Sequence, residues 1–190
     1  TAVYLLATGI AWIAPTFAEG VVRNYVSVID DDGFIDWGIG MGGQRRELLA
    51  LPVLARLAWQ VYQGTGNQDF VAAVYPALTH FFNHWFATDR DQVGDGVPEW
   101  ETAGQTGYTG WPLFGECCTD ITTVEGPDMV AYLLSEATHL QKIADLLGED
   151  DTSLAPRIAE LTTALNESWQ DGTFVYRDRD THITPSRISV

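Results

Sequence analysis

The densest run of residues able to do chemistry lies between Asp89 and Glu125. It holds Asp91, Asp95, Glu99, Trp100, Glu101, Tyr108, Trp111, Phe114, Glu116, Asp120 and Glu125. Carboxylates bind hydroxyls and move protons, while aromatic rings stack on the apolar faces of sugars, so this mixture suits a carbohydrate site. A solvated acidic loop pinned to a core by its aromatics has the same composition. Connections of this length without structure of their own are uncommon and tend to be functional.

Other motifs carry less. Gly38, Gly40 and Gly43 satisfy G-x-G-x-x-G. No buried strand precedes them and no acidic residue follows about 20 positions on, so a dinucleotide site is not expected. His80 and His84 have the i, i+4 spacing of metal ligands, but Phe81, Phe82 and Asn83 stand between them, and aromatic packing is the expectation. Asp89 to Gly96 resembles the start of a calcium loop, with Val93 at the third ligand position and no closing Glu. Calcium near Asp89, Asp91 and Asp95 stays open, and no other cofactor is expected. There is no G-x-S-x-G, and the adjacent thiols Cys117 and Cys118 have no His nearby in sequence.

The elements that must position these residues are helices. Met129, Leu133, Ala137, Leu140, Ala144 and Leu147, then Leu154, Ile158, Leu161, Leu165 and Trp169, step by three or four. Gly148 to Asp151 is a stop followed by capping residues. An earlier pair runs through Leu51, Leu54, Ala58 and Val61, then Phe70, Val74, Leu78, Phe81 and Trp85, joined across Gly64 to Asn67. Pro52 and Pro76 fall inside these patterns, each at a first turn or a kink. With an N-terminal pair near residues 2–13 and 17–28, this predicts about six helices in three hairpins. No stretch shows sustained strand alternation, and the fold class is all-α.

Composition bounds the partners. The 190 residues suit one domain, and 46% hydrophobic against 19% charged is globular. A net charge of -16, with Lys142 as the only lysine, repels phosphates, so neither nucleic acid nor an anionic membrane is an expected partner. Residues 1–18 are uncharged, but Thr8, Gly9 and Pro15 interrupt them and no basic segment precedes them, so a buried helix is expected there. The initial Thr1 suggests a processed chain or a piece of a longer one. Two reduced thiols fit a cytoplasmic protein.

Three stretches resemble the α-toroidal glycoside hydrolases: YPALTHFFNHWFATDRDQVGDGVPEWE (Tyr75 to Glu101), GPDMVAYLLSEATHLQKIADLLGEDD (Gly126 to Asp151) and LNESWQDGTFVYRDRDTH (Leu165 to His182). The nearest group is glycoside hydrolase family 63, the processing α-glucosidases and mannosylglycerate hydrolases, with trehalases and amylo-α-1,6-glucosidases as relatives. The resemblance implies an (α/α)6 barrel and an inverting mechanism. Its two carboxyl groups, a general acid and a general base, stand about 6.5 to 9.5 Å apart.

Two departures qualify it. Thr109 stands where the family's acid is expected, and a threonine hydroxyl cannot protonate a leaving oxygen at neutral pH. Glu101, Glu99 and Asp120, in that order, are the replacements. Six helices are also half of a twelve-helix toroid, so the base region is absent, and the rest of the barrel or a second subunit must cover the open edge.

The resulting expectation is a partial barrel acting on α-linked gluco- or manno-oligosaccharides. Trp100, Trp111, Tyr108 and Trp37 would be sugar platforms, and Asp36 would bind substrate. Residues 177–182 would form a charge-paired lip or an exposed ion-pair cluster. The alternative is a non-catalytic toroid fragment that binds glycans or assembles with a partner chain.

Overall fold

The computed structural model describes residues 8–106 and 120–184. They are mostly helical: α1 (Pro15–Val26), α2 (Leu54–Thr65), α3 (Gln68–His84), the single turn α4 (Ala103–Thr106), α5 (Pro127–Leu147) and α6 (Leu154–Glu167). The residues divide into two compact units. One contains Thr1–His84 and Ser135–Arg157, the other Trp85–Leu134 and Ile158–Val190.

In the first unit α1, α2 and α3 pack on one another, burying Ala18, Val22, Leu57, Val61, Phe70 and Leu78. Pro15 starts α1, where its missing N–H costs nothing. Pro52 lies two residues before α2, whereas Pro76 is inside α3, which continues through it. The α2–α3 joint is chemically explicit. Gly66 takes the left-handed conformation (φ +68°) and donates its N–H to the Tyr62 carbonyl, while Asn67 Oδ1 accepts from Phe70 N at 3.1 Å.

The N-terminus of α2 has no local side-chain cap. Glu136, from α5, supplies one: its carboxylate accepts from Ala55 N at 2.6 Å and Arg56 N at 3.2 Å. The helix-end charge favours an anion there, yet complete burial pushes the Glu136 carboxyl up to about 7.

The second unit adds short strands to the helices. Helix α6 ends at Glu167, so Trp169, read from its spacing as helical, instead opens a hairpin of β2 (Trp169–Gln170) and β3 (Thr173–Phe174). Asp171 and Gly172 both have positive φ, as a two-residue Asp-Gly turn demands. Trp169 and Phe174 face each other across it, ring centroids 4.7 Å apart. A second ladder pairs β1 (Val124–Glu125) antiparallel with β4 (Arg177–Asp178).

Candidate functional site

The acidic loop of the second unit is ordered by Asp91. Its Oδ1 accepts from Gly94 N (2.7 Å) and Asp95 N (3.1 Å), and its Oδ2 from Gly96 N (2.8 Å). Gly94 and Gly96 have positive φ, which the tight wrap requires. Both Asp91 oxygens are thus committed to backbone, and Asp89 points outward beside Arg90. Calcium near Asp89, Asp91 and Asp95 gains no support from this arrangement, in which the central carboxylate holds backbone N–H groups.

The three carboxylates considered for proton donation have different surroundings. Glu101 forms an ion pair with Arg90 and donates its backbone N–H to Gln105 Oε1. Asp120 caps the 3-10 turn Ile121–Thr123, accepting from Thr122 N and Oγ1, and these bonds hold its carboxyl below the usual range. Glu99 is the opposite case. It is 3% exposed, the Gln92 N–H reaches its Oε2 at 3.4 Å, and Oε1 has no hydrogen bond. Burial pushes it up to about 7, outweighing the N–H groups of Gln92 and of Glu99 itself and the charge of Arg179.

Arg179 ties these parts together. Its Nη1 donates to Gln92 Oε1 (2.7 Å) and to the Thr122 carbonyl (3.1 Å), and its charge acts on both Glu99 and Asp120. Arg177 serves a second group: it pairs with Glu125, its partner across the ladder, with Glu167 at 3.5 Å and with Asp95 at 3.7 Å. The 177–180 run is therefore not an exposed cluster satisfied within itself, because its two arginines reach into the 89–125 connection.

Trp100 is not a sugar platform. It is 1% exposed, with Trp85 and Tyr132 edge-on at 6.1 and 6.3 Å between centroids, and its Nε1 donates to Asp128 Oδ2 at 3.2 Å. A ring enclosed in this way has no free face for a sugar. Asp128, in the first turn of α5, also bonds Tyr176, and burial raises its carboxyl. Sequence reading placed Asp128 at the start of a helix but gave it no site role, since the Trp100 contact spans 28 positions.

In the first unit, Asp36 is buried and organises its own loop. Its Oδ1 accepts from Gly38 N (3.1 Å), and its Oδ2 from Arg45 N (3.1 Å) and Glu47 N (2.9 Å). Burial acts to raise its carboxyl, but the N–H groups of Glu47, Gly38, Arg45 and Arg46 win and hold it low. Trp37 is 49% exposed and lines an open cavity of about 650 Å³ with Tyr25, Ile39 and Met41. Gly40 and Gly43 exchange backbone hydrogen bonds in a tight turn. His80 and His84 bind the carbonyls of Asp31 (3.0 Å) and Asp32 (2.8 Å), so both clamp the 30–34 loop. Tyr108, Thr109, Trp111, Cys117 and Cys118 lie outside the described residues.

The described residues are mostly helical, with a carboxylate-rich connection, consistent with a fragment of a helical-toroid glycoside hydrolase. The family comparison is specific: residues 1–112 match the mannosylglycerate hydrolase MGH1-like glycoside hydrolase domain, and the chain belongs to that family. Three similar solved structures come from Thermus thermophilus. A GH63 mannosylglycerate hydrolase in complex with Tris has a TM-score of 0.79 at 13% identity, covering 97% of this chain and 62% of that one. In complex with glucose it gives 0.74 at 14%, covering 93% and 60%. An uncharacterized conserved protein gives 0.76 at 14%, covering 93% and 59%. The chain thus spans about three fifths of the length of these structures. No curated protein sequence matches it. Among the described residues, no helix is long and apolar enough to cross a membrane.

Proposed function

We propose that the chain is part of an inverting glycoside hydrolase acting on α-linked gluco- or manno-oligosaccharides, with Glu99 as the general acid. One observation supports the assignment: Glu99 is almost fully buried with Oε1 making no hydrogen bond, and burial pushes its carboxyl up to about 7, where it can be protonated at neutral pH and still release its proton. This reverses the order expected from sequence, which put Glu101 first. Glu101, paired with Arg90, and Asp120, whose carboxyl Thr122 holds below the usual range, bind sugar hydroxyls. Tyr108 and Trp111 are the stacking residues of this site, and Trp37, beside its own open cavity in the first unit, is a separate candidate stacking surface. Trp100 acts at one remove by holding Asp128.

The general base belongs to the part of the barrel that the longer relatives have and this chain does not span. The related mannosylglycerate hydrolase, solved with glucose, supports a gluco- or manno-configured ligand. A second reading, glycan binding without turnover, draws on the deep burial of Glu99.

Proton NMR of the first product formed by the full-length protein from α-mannosyl and α-glucosyl glycosides tests the proposal. Initial release of the β-anomer supports inversion. Initial α-anomer contradicts it, and saturable binding with no product supports the second reading.

A further inference from the structure

The second unit holds a group of side chains that the proton-donor site does not use. Asp95, Glu125 and His182 each bring one ligand atom to a common point, all within 4.8 Å of one another. Two come from distant parts of the sequence, and the ladder between β1 and β4 brings them near. The Asp178 side chain closes the turn that carries His182, accepting from Asp180 N, Thr181 N and Thr181 Oγ1. His182 itself has φ +55°.

The second observation is Glu125. It is 2% exposed; Arg177 takes its Oε2, while its Oε1 makes no hydrogen bond. That oxygen lies 3.4 Å from His182 Nδ1, which is 3.8 Å from Asp95 Oδ2. Both separations exceed a normal hydrogen bond. They are close to the edge of a tetrahedron of ligands around an ion such as zinc, about 3.4 Å for bonds of about 2.1 Å. A buried carboxylate oxygen left without a donor, facing an imidazole nitrogen at that spacing, is a ligand pair awaiting a third party.

We propose that Asp95, Glu125 and His182 bind a first-row divalent cation, with zinc as the reference ion, water completing its coordination. One imidazole and two carboxylates suit zinc or manganese better than calcium, which takes oxygen ligands. Arg177 grips the other oxygen of Glu125 and orients the carboxylate, as outer partners of metal ligands do, while its Nη2 lies 3.7 Å from Asp95 Oδ2, a contact that a bound ion would replace. Entry is open, because Asp95 and His182 line a cavity of about 620 Å³ with Glu160, Glu167 and Arg177. The carboxylates there outnumber the guanidinium, so the local charge favours a cation. Bound metal would pin the 91–97 loop to the β1–β4 ladder.

The test is titration of the chelator-stripped, full-length protein with zinc chloride by calorimetry, followed by thermal unfolding with and without zinc. Saturable binding in the micromolar range and a raised Tm are expected. His182→Ala, at a position 44% exposed, and Asp95→Asn should each weaken the affinity at least about tenfold while folding normally. Absence of saturable binding below about 1 mM overturns the proposal. So does unchanged affinity in both variants, which would move the ion to other ligands. None of these readouts uses sugar hydrolysis, so the glycosidase proposal stands or falls separately.

Discussion

Glu125 and Arg177 are direct register partners in the β1–β4 ladder, and their side chains form an ion pair on a carboxylate almost removed from solvent. Removing the guanidinium leaves a buried anion without its main counter-charge. Burial already acts to raise the Glu125 carboxyl, and Arg177 opposes it. Arg177→Met should therefore cost about 3 kcal/mol. Adding Glu125→Gln should recover part of the loss, as chemical denaturation of the single and double variants would show. Additive losses would contradict the coupling.

Gly126 is expected to be intolerant. A Cβ there would lie 2.2 Å from Asp128 Oδ1 and 2.6 Å from Tyr176 Cε1. The added methyl must displace the pair that meets Trp100. Gly126→Ala should lower stability by about 1 to 3 kcal/mol, and shift the near-ultraviolet circular dichroism of the Trp100 cluster. An unchanged spectrum and Tm would show that the crowding is relieved without disturbing it.

Stability should fall as pH rises from about 5 to 8. Glu136 and Glu99 both have folded-state values of about 7, above the ordinary 4.5. The folded state binds these protons more tightly than the unfolded chain, so their contribution is complete below about 4.5 and is lost as pH climbs through 7. Glu136→Gln keeps an acceptor for the α2 N-terminus and removes the titration. Its Tm should vary with pH less steeply than that of the native protein, with Glu99 supplying the remainder. An identical slope would mean that Glu136 is ionised throughout.

What could be read from sequence was periodic or local. The α2–α3 and α5–α6 helices follow from three- and four-residue spacing, and Gly66, Asn67 and Gly148 mark their ends with residues whose chemistry fits only there. The two ladders were invisible because two-residue strands have no alternation to detect. Trp100 shows a different limit: a tryptophan beside carboxylates reads alike whether it faces a sugar or a core, and only its contacts with Trp85, Tyr132 and Asp128 decide. From sequence Glu101 stood ahead of Glu99. Arg90 on one and burial on the other separate them.

The central claim is that Glu99 donates the proton. Steady-state hydrolysis by the full-length protein, compared with Glu99→Gln and Glu101→Gln across pH 5 to 9, tests it most directly. A general acid near 7 must be protonated to work, so kcat/KM of the native protein should decline as pH rises through about 7. Glu99→Gln should lose about 10²- to 10⁴-fold in kcat, together with that alkaline limb. Glu101→Gln should keep the limb and mainly weaken KM. A Glu99→Gln enzyme with native kcat and an unchanged pH profile would contradict the account.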